Sequence, residues 1–190
     1  MLEISNCKVY DLEESVISCR NSMRTTPAEY TQEEFEKSLE RAKKLARRGG
    51  GTGESNFRTG IRVSFDLKYP SYITPELQRY HFFDIVCSMS KMHKLSQFDK
   101  DKCFNEYVTA QSIQQMKDLS ELYNNCKSHE NFMRLISNCP HGIELTMRCS
   151  TNYEQLATIY RQRRHHRLED WWVFCDWIET LPYAEDLIIC

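Results

Sequence analysis

The spacing of apolar residues along the chain predicts both strands and amphipathic helices. In residues 61–68 and 143–149, apolar and polar side chains alternate with a period of two, which is typical of a half-buried strand. Residues 2–10 mix the two kinds of side chain and predict a further strand. The rest of the pattern is mainly helical. We therefore predict an α+β fold in which a small antiparallel sheet packs with several helices.

Capping residues indicate where several of the helices begin. Thr31 and Glu34 form a capping box, and the helix that follows should end near the glycine-rich connection 49–53. A second helix should begin at Thr74, with a proline permitted in its first turn, and continue to Leu95. One further helix is predicted to begin near Asp11, and three others to span 105–126, 130–138 and 168–181. Another should begin at a Thr151 or Asn152 cap and run through a basic segment.

Composition narrows the class of protein. The 190 residues include 27 acidic and 25 basic side chains, and this near-neutral charge argues against binding along duplex nucleic acid. No apolar run approaches the roughly 20 residues that cross a bilayer, and the first residues do not resemble a signal peptide. We expect one domain over residues 1–190, no membrane association and a cytoplasmic location.

The chain contains nine cysteines, none of them in a C-x-x-C pair. This scattered pattern is typical of free thiols, and we expect most of them to fill the core as small apolar side chains. Cys149 is the one cysteine considered for reactivity, because it precedes a polar cluster in the sequence.

The strongest local charge feature is a basic run at residues 161–167, which contains four arginines and two histidines. Arginine suits phosphate recognition, and helical spacing would place Arg163 and Arg167 on one outward face. A solvated surface or a subunit contact explains such a run equally well. His165 and His166 would point about 100° apart on a helix, so no metal site is predicted. These residues therefore indicate a phosphate or anion site near 150–167.

The order of residues resembles the flavin-dependent thymidylate synthases. The segment Pro140-x-Gly-x-Glu-Leu-Thr-x-x-x-Ser-Thr-Asn152-x-x-x-Leu-x-x-x-Tyr-x-x-Arg163 follows the C-terminal core of that family. There, a proline precedes a strand, an asparagine opens a helix and an arginine follows eleven residues later, as Arg163 follows Asn152 here. The N-terminal segment 7–15 and the order of elements from Phe57 onward are also similar. The resemblance implies a thymidylate synthase-complementing-like fold over most of the chain.

The signature motif of that family, R-H-R-x-x-S-x-N-x-x-S-x-R, is only partly retained. The corresponding residues are 79–91, where Arg79 alone is kept outright, while His81 and Lys91 preserve a basic side chain. Two serines flank the last serine position of the motif. The histidine that precedes the first central strand in the family is also missing. The substituted positions and the flanking serines are Asp84, Val86, Met89, Ser88 and Ser90.

The resemblance implies a set of ligands and residue roles. FAD would be held by Arg79, His81, Lys91 and Asn152. A pyrimidine deoxynucleotide, dUMP, would be held by Arg163, Ser88, Ser90 and Arg167. A methylene group would pass from methylenetetrahydrofolate to the uracil, with NADPH reducing the flavin. No catalytic side chain is named, because the cofactor carries this chemistry. The family builds each site from several subunits, which implies a homotetramer.

Two other interpretations remain open at this point. A diverged homologue would bind or sequester nucleotides without flavin chemistry, and the altered motif favours this. A protein-interaction module would use the helix that contains Trp171 and Trp177. Taken singly, the site residues also have structural explanations: Asn152 as a helix cap, Arg163 as a surface cation, and Arg79 as a partner of Glu76 or Asp84.

Overall fold

An antiparallel sheet forms the centre of the fold. The computed structural model describes residues 2–48 and 53–190, and in these ranges four strands form the sheet. Their bounds are β1 Glu3–Tyr10, β2 Arg62–Pro70, β3 Asp84–Ser88 and β4 Glu144–Asn152. The strand order is β1-β2-β4-β3, and every neighbouring pair is antiparallel. The predicted α+β class and the three predicted strands are confirmed, whereas β3 was not predicted.

The alternation in the two central strands separates a core face from a polar face. Phe65 lies opposite Cys149 and Leu67 opposite Met147 in the β2–β4 register, and all four side chains are buried. The other face is polar and half-buried, and the Arg148 guanidinium lies 3.1 Å from the Asp66 carboxylate. The sheet is therefore covered by helices on the apolar face.

Nine α-helices surround the sheet or pack on one another within the described ranges. Their bounds are α1 Leu12–Ser18, α2 Gln32–Ala46, α3 Phe57–Gly60, α4 Thr74–Leu77, α5 Lys91–Lys94, α6 Ala110–Asn125, α7 His129–Ser137, α8 Tyr153–Arg163 and α9 Glu169–Glu179. The Thr31 side chain caps α2 by accepting the backbone N–H of Glu34 at 3.2 Å, as the capping box predicted. Most of the predicted glycine connection, residues 49–52, lies outside the described residues.

The helix predicted from Thr74 to Leu95 is wrong. Helix α4 ends at Leu77, and the following turn leads into β3. Ile85 of β3 lies opposite Cys149 of β4, so a strand pairing replaces the expected helix. A short apolar run has no decisive periodicity, and here the open edge of β4 determines its conformation.

The basic run also differs from its prediction. Helix α8 ends at Arg163, so Arg163 and Arg167 do not share a helical face. The chain turns here because the backbone N–H of His166 donates to the Arg163 carbonyl at 2.9 Å and the His166 imidazole accepts the Leu168 N–H at 3.2 Å. Only part of the run therefore points outward, and Arg163 does not.

Two further expectations need correction. Helix α6 begins at Ala110 rather than near residue 105, because Thr109 caps it by accepting the Ser112 N–H at 3.2 Å. Trp171 is fully buried in the core, so the α9 tryptophans do not form one exposed interaction surface.

The cysteines are more exposed than expected. All nine are free thiols, but only Cys149 and Cys175 are buried. Burial raises the pKa of Cys149 to about 12, so this thiol stays protonated at neutral pH and is a core residue rather than a nucleophile. Four cysteines are exposed, contrary to the core-filling expectation: Cys7, Cys87, Cys126 and Cys190.

Candidate functional site

A polar cleft lies between the turn after α4 and one side of α8. Its volume is about 470 Å³. It brings together Arg79, His81 and Arg163, three of the site residues predicted from sequence. The remaining lining residues are Tyr80, Gln155, Thr158 and Gln162. The fold therefore gathers basic side chains that are far apart in sequence.

Hydrogen bonds fix the turn that presents Arg79 and His81. The Gln155 side chain accepts the backbone N–H of Phe82 at 3.1 Å, and the Thr151 hydroxyl donates to the Phe82 carbonyl at 2.8 Å. Gln155 and Thr151 are both buried, so these bonds are shielded from water. The turn is thereby tied to the start of α8, and its two basic side chains are left exposed.

Asn152 caps α8 at the same junction. Its side-chain oxygen accepts the backbone N–H of Gln155 at 2.9 Å, and the residue is only 2% exposed. The cap is therefore Asn152 rather than Thr151. The expected capping-box glutamate, Glu154, instead lies 2.6 Å from the buried Arg58 guanidinium. The structure thus gives Asn152 a structural role, and its contact with a cofactor stays a prediction.

Arg163 lies in an interior network. Its Nη1 is 3.0 Å from the Glu76 carboxylate, and its Nε donates to the Tyr80 hydroxyl at 2.7 Å. The guanidinium carbon also lies 4.8 Å from the centre of the Trp171 ring, which favours a cation–π contact. The side chain is 14% exposed, so Arg163 is held at the cleft wall rather than solvated.

The unpaired charge in the cleft is at Arg79. Glu76 pairs with Arg163 and Asp84 with Arg62, and within the described ranges Arg79 forms no ion pair with either carboxylate. Burial raises the pKa of Tyr80, although the neighbouring Arg163 lowers it, so the phenol remains a neutral hydrogen-bonding group. Arg79 is thus available for an anionic ligand.

Ser88, Ser90 and Lys91 lie outside this cleft. Ser88 ends β3, and Ser90 caps α5 by accepting the His93 N–H at 3.2 Å. Strand residues advance about 3.3 Å each, so the five residues of β3 place these side chains beyond reach of a ligand group held at His81. A single chain therefore does not bring Ser88, Ser90 and Lys91 into the cleft that contains Arg79, His81 and Arg163.

Arg167 lines a different cleft, of about 550 Å³, at the start of α9. In this cleft the Tyr72 hydroxyl donates to the Asp170 carboxylate at 2.7 Å. Burial, with the carboxylate, raises the pKa of Tyr72. Arg167 is therefore separated from the other predicted substrate residues.

A third cleft, of about 560 Å³, lies beside α1 and α2 and was not found from the sequence. It is lined by Ser18, Ser22, Arg41 and Asn56, among others. The Arg41 Nε is buried and has no hydrogen-bond partner among the described residues. Polar residues from separate elements form this cleft, so no sequence motif marks it. It also contains Gly53, where the segment that lacks the family histidine begins.

Residues 2–48 and 53–190 contain no group of three or more metal-binding side chains placed to hold an ion. No helix in these ranges has the length and apolar character needed to span a membrane.

The fold is similar to that of solved flavin-dependent thymidylate synthases. The chain is similar to the enzyme from Helicobacter pylori complexed with FAD and dUMP, at 16% identity and a TM-score of 0.78 over 99% of both chains. A second structure of that enzyme with FAD and dUMP gives 15% identity and a TM-score of 0.74, covering 100% of this chain and 98% of the other.

A more distant neighbour is the UMP/dUMP methylase PolB from Streptomyces cacaoi bound with 5-Br dUMP. It shares 10% identity with a TM-score of 0.58, covering 95% of this chain and 88% of the other. No family model and no curated protein matches the sequence. The comparisons therefore confirm the fold expected from the resemblance, that of flavin-dependent thymidylate synthases.

Proposed function

We propose that this chain binds FAD and a pyrimidine deoxynucleotide and transfers a methylene group from a folate to dUMP, as a thymidylate synthase-like enzyme. The observation that carries the proposal is the cleft along one side of α8, in which Arg79, His81 and Arg163 meet. These residues come from the two segments whose order resembles the family. The solved neighbours with FAD and dUMP support the same ligand classes.

The described residues fit the phosphate groups of a flavin dinucleotide. Among the described residues, Arg79 offers a cation without an ion pair, and the buried Arg41 Nε lacks a partner in a cleft that also contains two serine hydroxyls. In this proposal Arg79 and His81 hold the cofactor together with Asn152 and Lys91. Bound FAD would supply the hydride when reduced, with NADPH as its source.

The side chains of this chain would bind and orient the reactants rather than form a covalent bond to them. Arg79 binds an anionic group, and Arg163 presents a planar set of N–H donors. Cys149 is protonated and enclosed by the core, so it is not a nucleophile for this reaction. Positioning and electrostatics are what the protein contributes to such cofactor chemistry.

A homotetramer would explain why the predicted residues lie in separate groups. Ser88, Ser90 and Lys91 would reach the cleft of another subunit, with Arg167 as a further substrate contact. Large apolar side chains are exposed near these residues, which favours a subunit contact there. They are Phe82, Val86, Met89 and Met92. We also propose a cytoplasmic location, which nine unpaired thiols support.

A specific observation favours a second candidate, nucleotide binding or sequestration without flavin chemistry. Asp84 places an exposed carboxylate where the family motif has a serine, and it lies 3.5 Å from Arg62. A carboxylate at this position repels phosphate. Val86, exposed at the asparagine position, offers no hydrogen bond. These changes affect the flavin motif and leave the Arg163 network intact.

The two candidates are separated by the absorbance spectrum of the protein after incubation with FAD and removal of free flavin. The first candidate predicts a retained flavin spectrum and a higher melting temperature with dUMP, because a ligand that binds only the folded state stabilises it. Arg79→Ala should lose the first of these effects, because Arg79 is assigned to the cofactor. Arg161→Ala removes an exposed arginine of α8 that does not line the cleft, and should keep them.

Stabilisation by dUMP without retained flavin would select the sequestering protein. The absence of both effects in the wild-type protein would contradict both candidates.

A further inference from the structure

Glu76 lies at the centre of the Arg163 network, although no motif identifies it. Its Oε2 is 3.0 Å from Arg163 Nη1 and accepts the indole N–H of Trp171 at 2.6 Å. Trp171 is fully buried and Glu76 is less than one-third exposed. Two donors therefore hold one carboxylate oxygen in a fixed place.

This carboxylate restricts Arg163 to one orientation. The guanidinium is bonded by Glu76 on one nitrogen and by the Tyr80 hydroxyl on another, and its central carbon lies over the Trp171 ring. A cation fixed before binding loses less conformational entropy when a ligand arrives. Glu76 and Tyr80 therefore share the task of holding Arg163.

Glu76 also limits the positive charge of the cleft. Arg79 and Arg163 contribute two cationic charges, and the Glu76 carboxylate offsets one of them. His166 lies 3.7 Å from the other Glu76 oxygen and adds positive charge only when it is protonated. With neutral histidines, the cleft therefore has a small net positive charge, which suits a monophosphate better than a triphosphate.

We propose that Glu76 is a positioning and specificity-determining residue, which fixes Arg163 and biases the cleft towards nucleoside monophosphates over triphosphates. The identity of the ligand rests on the proposed function. The fixing of Arg163 does not, because it follows from contacts within this chain.

The positioning is tested without any ligand by nuclear magnetic resonance of the Arg163 side-chain Nε–H, identified by its loss in Arg163→Lys. In the wild-type protein the hydrogen bond to Tyr80 should keep this signal visible and slow its exchange with water. Glu76→Gln should speed that exchange about tenfold or broaden the signal. An unchanged signal in Glu76→Gln overturns the positioning role.

The selectivity is tested by the dissociation constants of dUMP and dUTP at pH 8, which is above the pKa of about 6.5 of free histidine. Glu76→Gln should raise the affinity for dUTP relative to dUMP by about tenfold, which corresponds to about 1.4 kcal/mol. Glu179→Gln is the matched control: it removes the same charge from a carboxylate that pairs with Arg164, outside the cleft.

An equal change of the dUTP-to-dUMP affinity ratio in Glu76→Gln and Glu179→Gln, or no change in Glu76→Gln, overturns the selectivity.

Tyr80→Phe removes the other bond to Arg163 without changing charge, so it should alter the Arg163 signal and leave the affinity ratio unchanged. It also provides a second measurement if Glu76→Gln fails to fold: an unaltered signal in Tyr80→Phe then contradicts the shared fixing. If the wild-type protein binds neither nucleotide, the proposed function and the selectivity fail together, while the magnetic resonance result still decides the positioning.

Discussion

Arg163 shows how far the environment of a residue departs from its sequence neighbourhood. In the sequence it is one of six basic residues between 161 and 167. In the structure it contacts Trp171, which is eight residues away in sequence, and Glu76 and Tyr80, which are more than 80 residues away. The neighbouring Arg164 instead pairs with Asp176 at the surface. We therefore expect the two adjacent arginines to contribute differently to the free energy of unfolding.

Arg163→Ala should lower the free energy of unfolding by about 2 kcal/mol, because it leaves a partly buried carboxylate without its cation. Arg164→Ala removes a surface ion pair and should cost less than about 1 kcal/mol. Urea denaturation of both variants measures the difference. Equal costs would indicate that the Arg163 network does not stabilise the fold.

The strands differ in how clearly the sequence predicts them. The strands β2 and β4 were predicted because their alternation has a core face and a polar face. The segment 84–88 lacks such alternation, and it becomes a strand because it pairs with β4. Caps are local and were mostly identified, but the choice of Asn152 over Thr151 depends on where β4 ends.

Asn152→Ala should destabilise the protein by about 2 kcal/mol, towards the upper end for helix caps, because the Gln155 N–H that it satisfies is buried. Thr31→Ala removes a cap that is exposed to water, and should cost about 1 kcal/mol or less. Thermal and urea unfolding of the two variants check the ranking. A smaller cost for Asn152→Ala than for Thr31→Ala would contradict the burial argument.

At the scale of the whole molecule, the core determines how stability depends on alkaline pH. Burial raises the pKa of Cys149 to about 12 and of Cys175 to about 11, from an ordinary value of 9.0. Between pH 9 and 11 the unfolded chain releases these protons and the folded protein keeps them. Stability from these thiols is therefore present below pH 9 and is lost as the pH rises.

The free energy of unfolding should fall above pH 9 by about 1.4 kcal/mol per pH unit for each thiol. Urea denaturation in the presence of a reductant, at intervals from pH 8 to 10.5, measures this slope. Cys149→Ala should reduce the slope by the contribution of one thiol. A slope that is the same in both proteins would show that Cys149 titrates normally in the folded state.

The proposed assembly is also a property of the whole molecule. Val86 is 64% exposed on β3, and Val86→Asp should dissociate a tetramer of the 22.6 kDa chain, because a carboxylate is costly in an apolar contact. Met133→Asp changes another exposed apolar side chain, which is 43% exposed on α7, and should leave the assembly intact. Light scattering after size-exclusion chromatography gives both masses. A wild-type monomer would contradict the assembly.

The sequence by itself determined those features whose physical cause is local. Alternation placed β2 and β4, a threonine and a glutamate three residues apart placed the start of α2, and the resemblance of the segment 140–163 to a known family implied the fold. Only the tertiary structure decided that 84–88 is a strand and that Glu76 holds Arg163. These features depend on partners distant in the chain, and their contacts form only when the sheet and helices pack together.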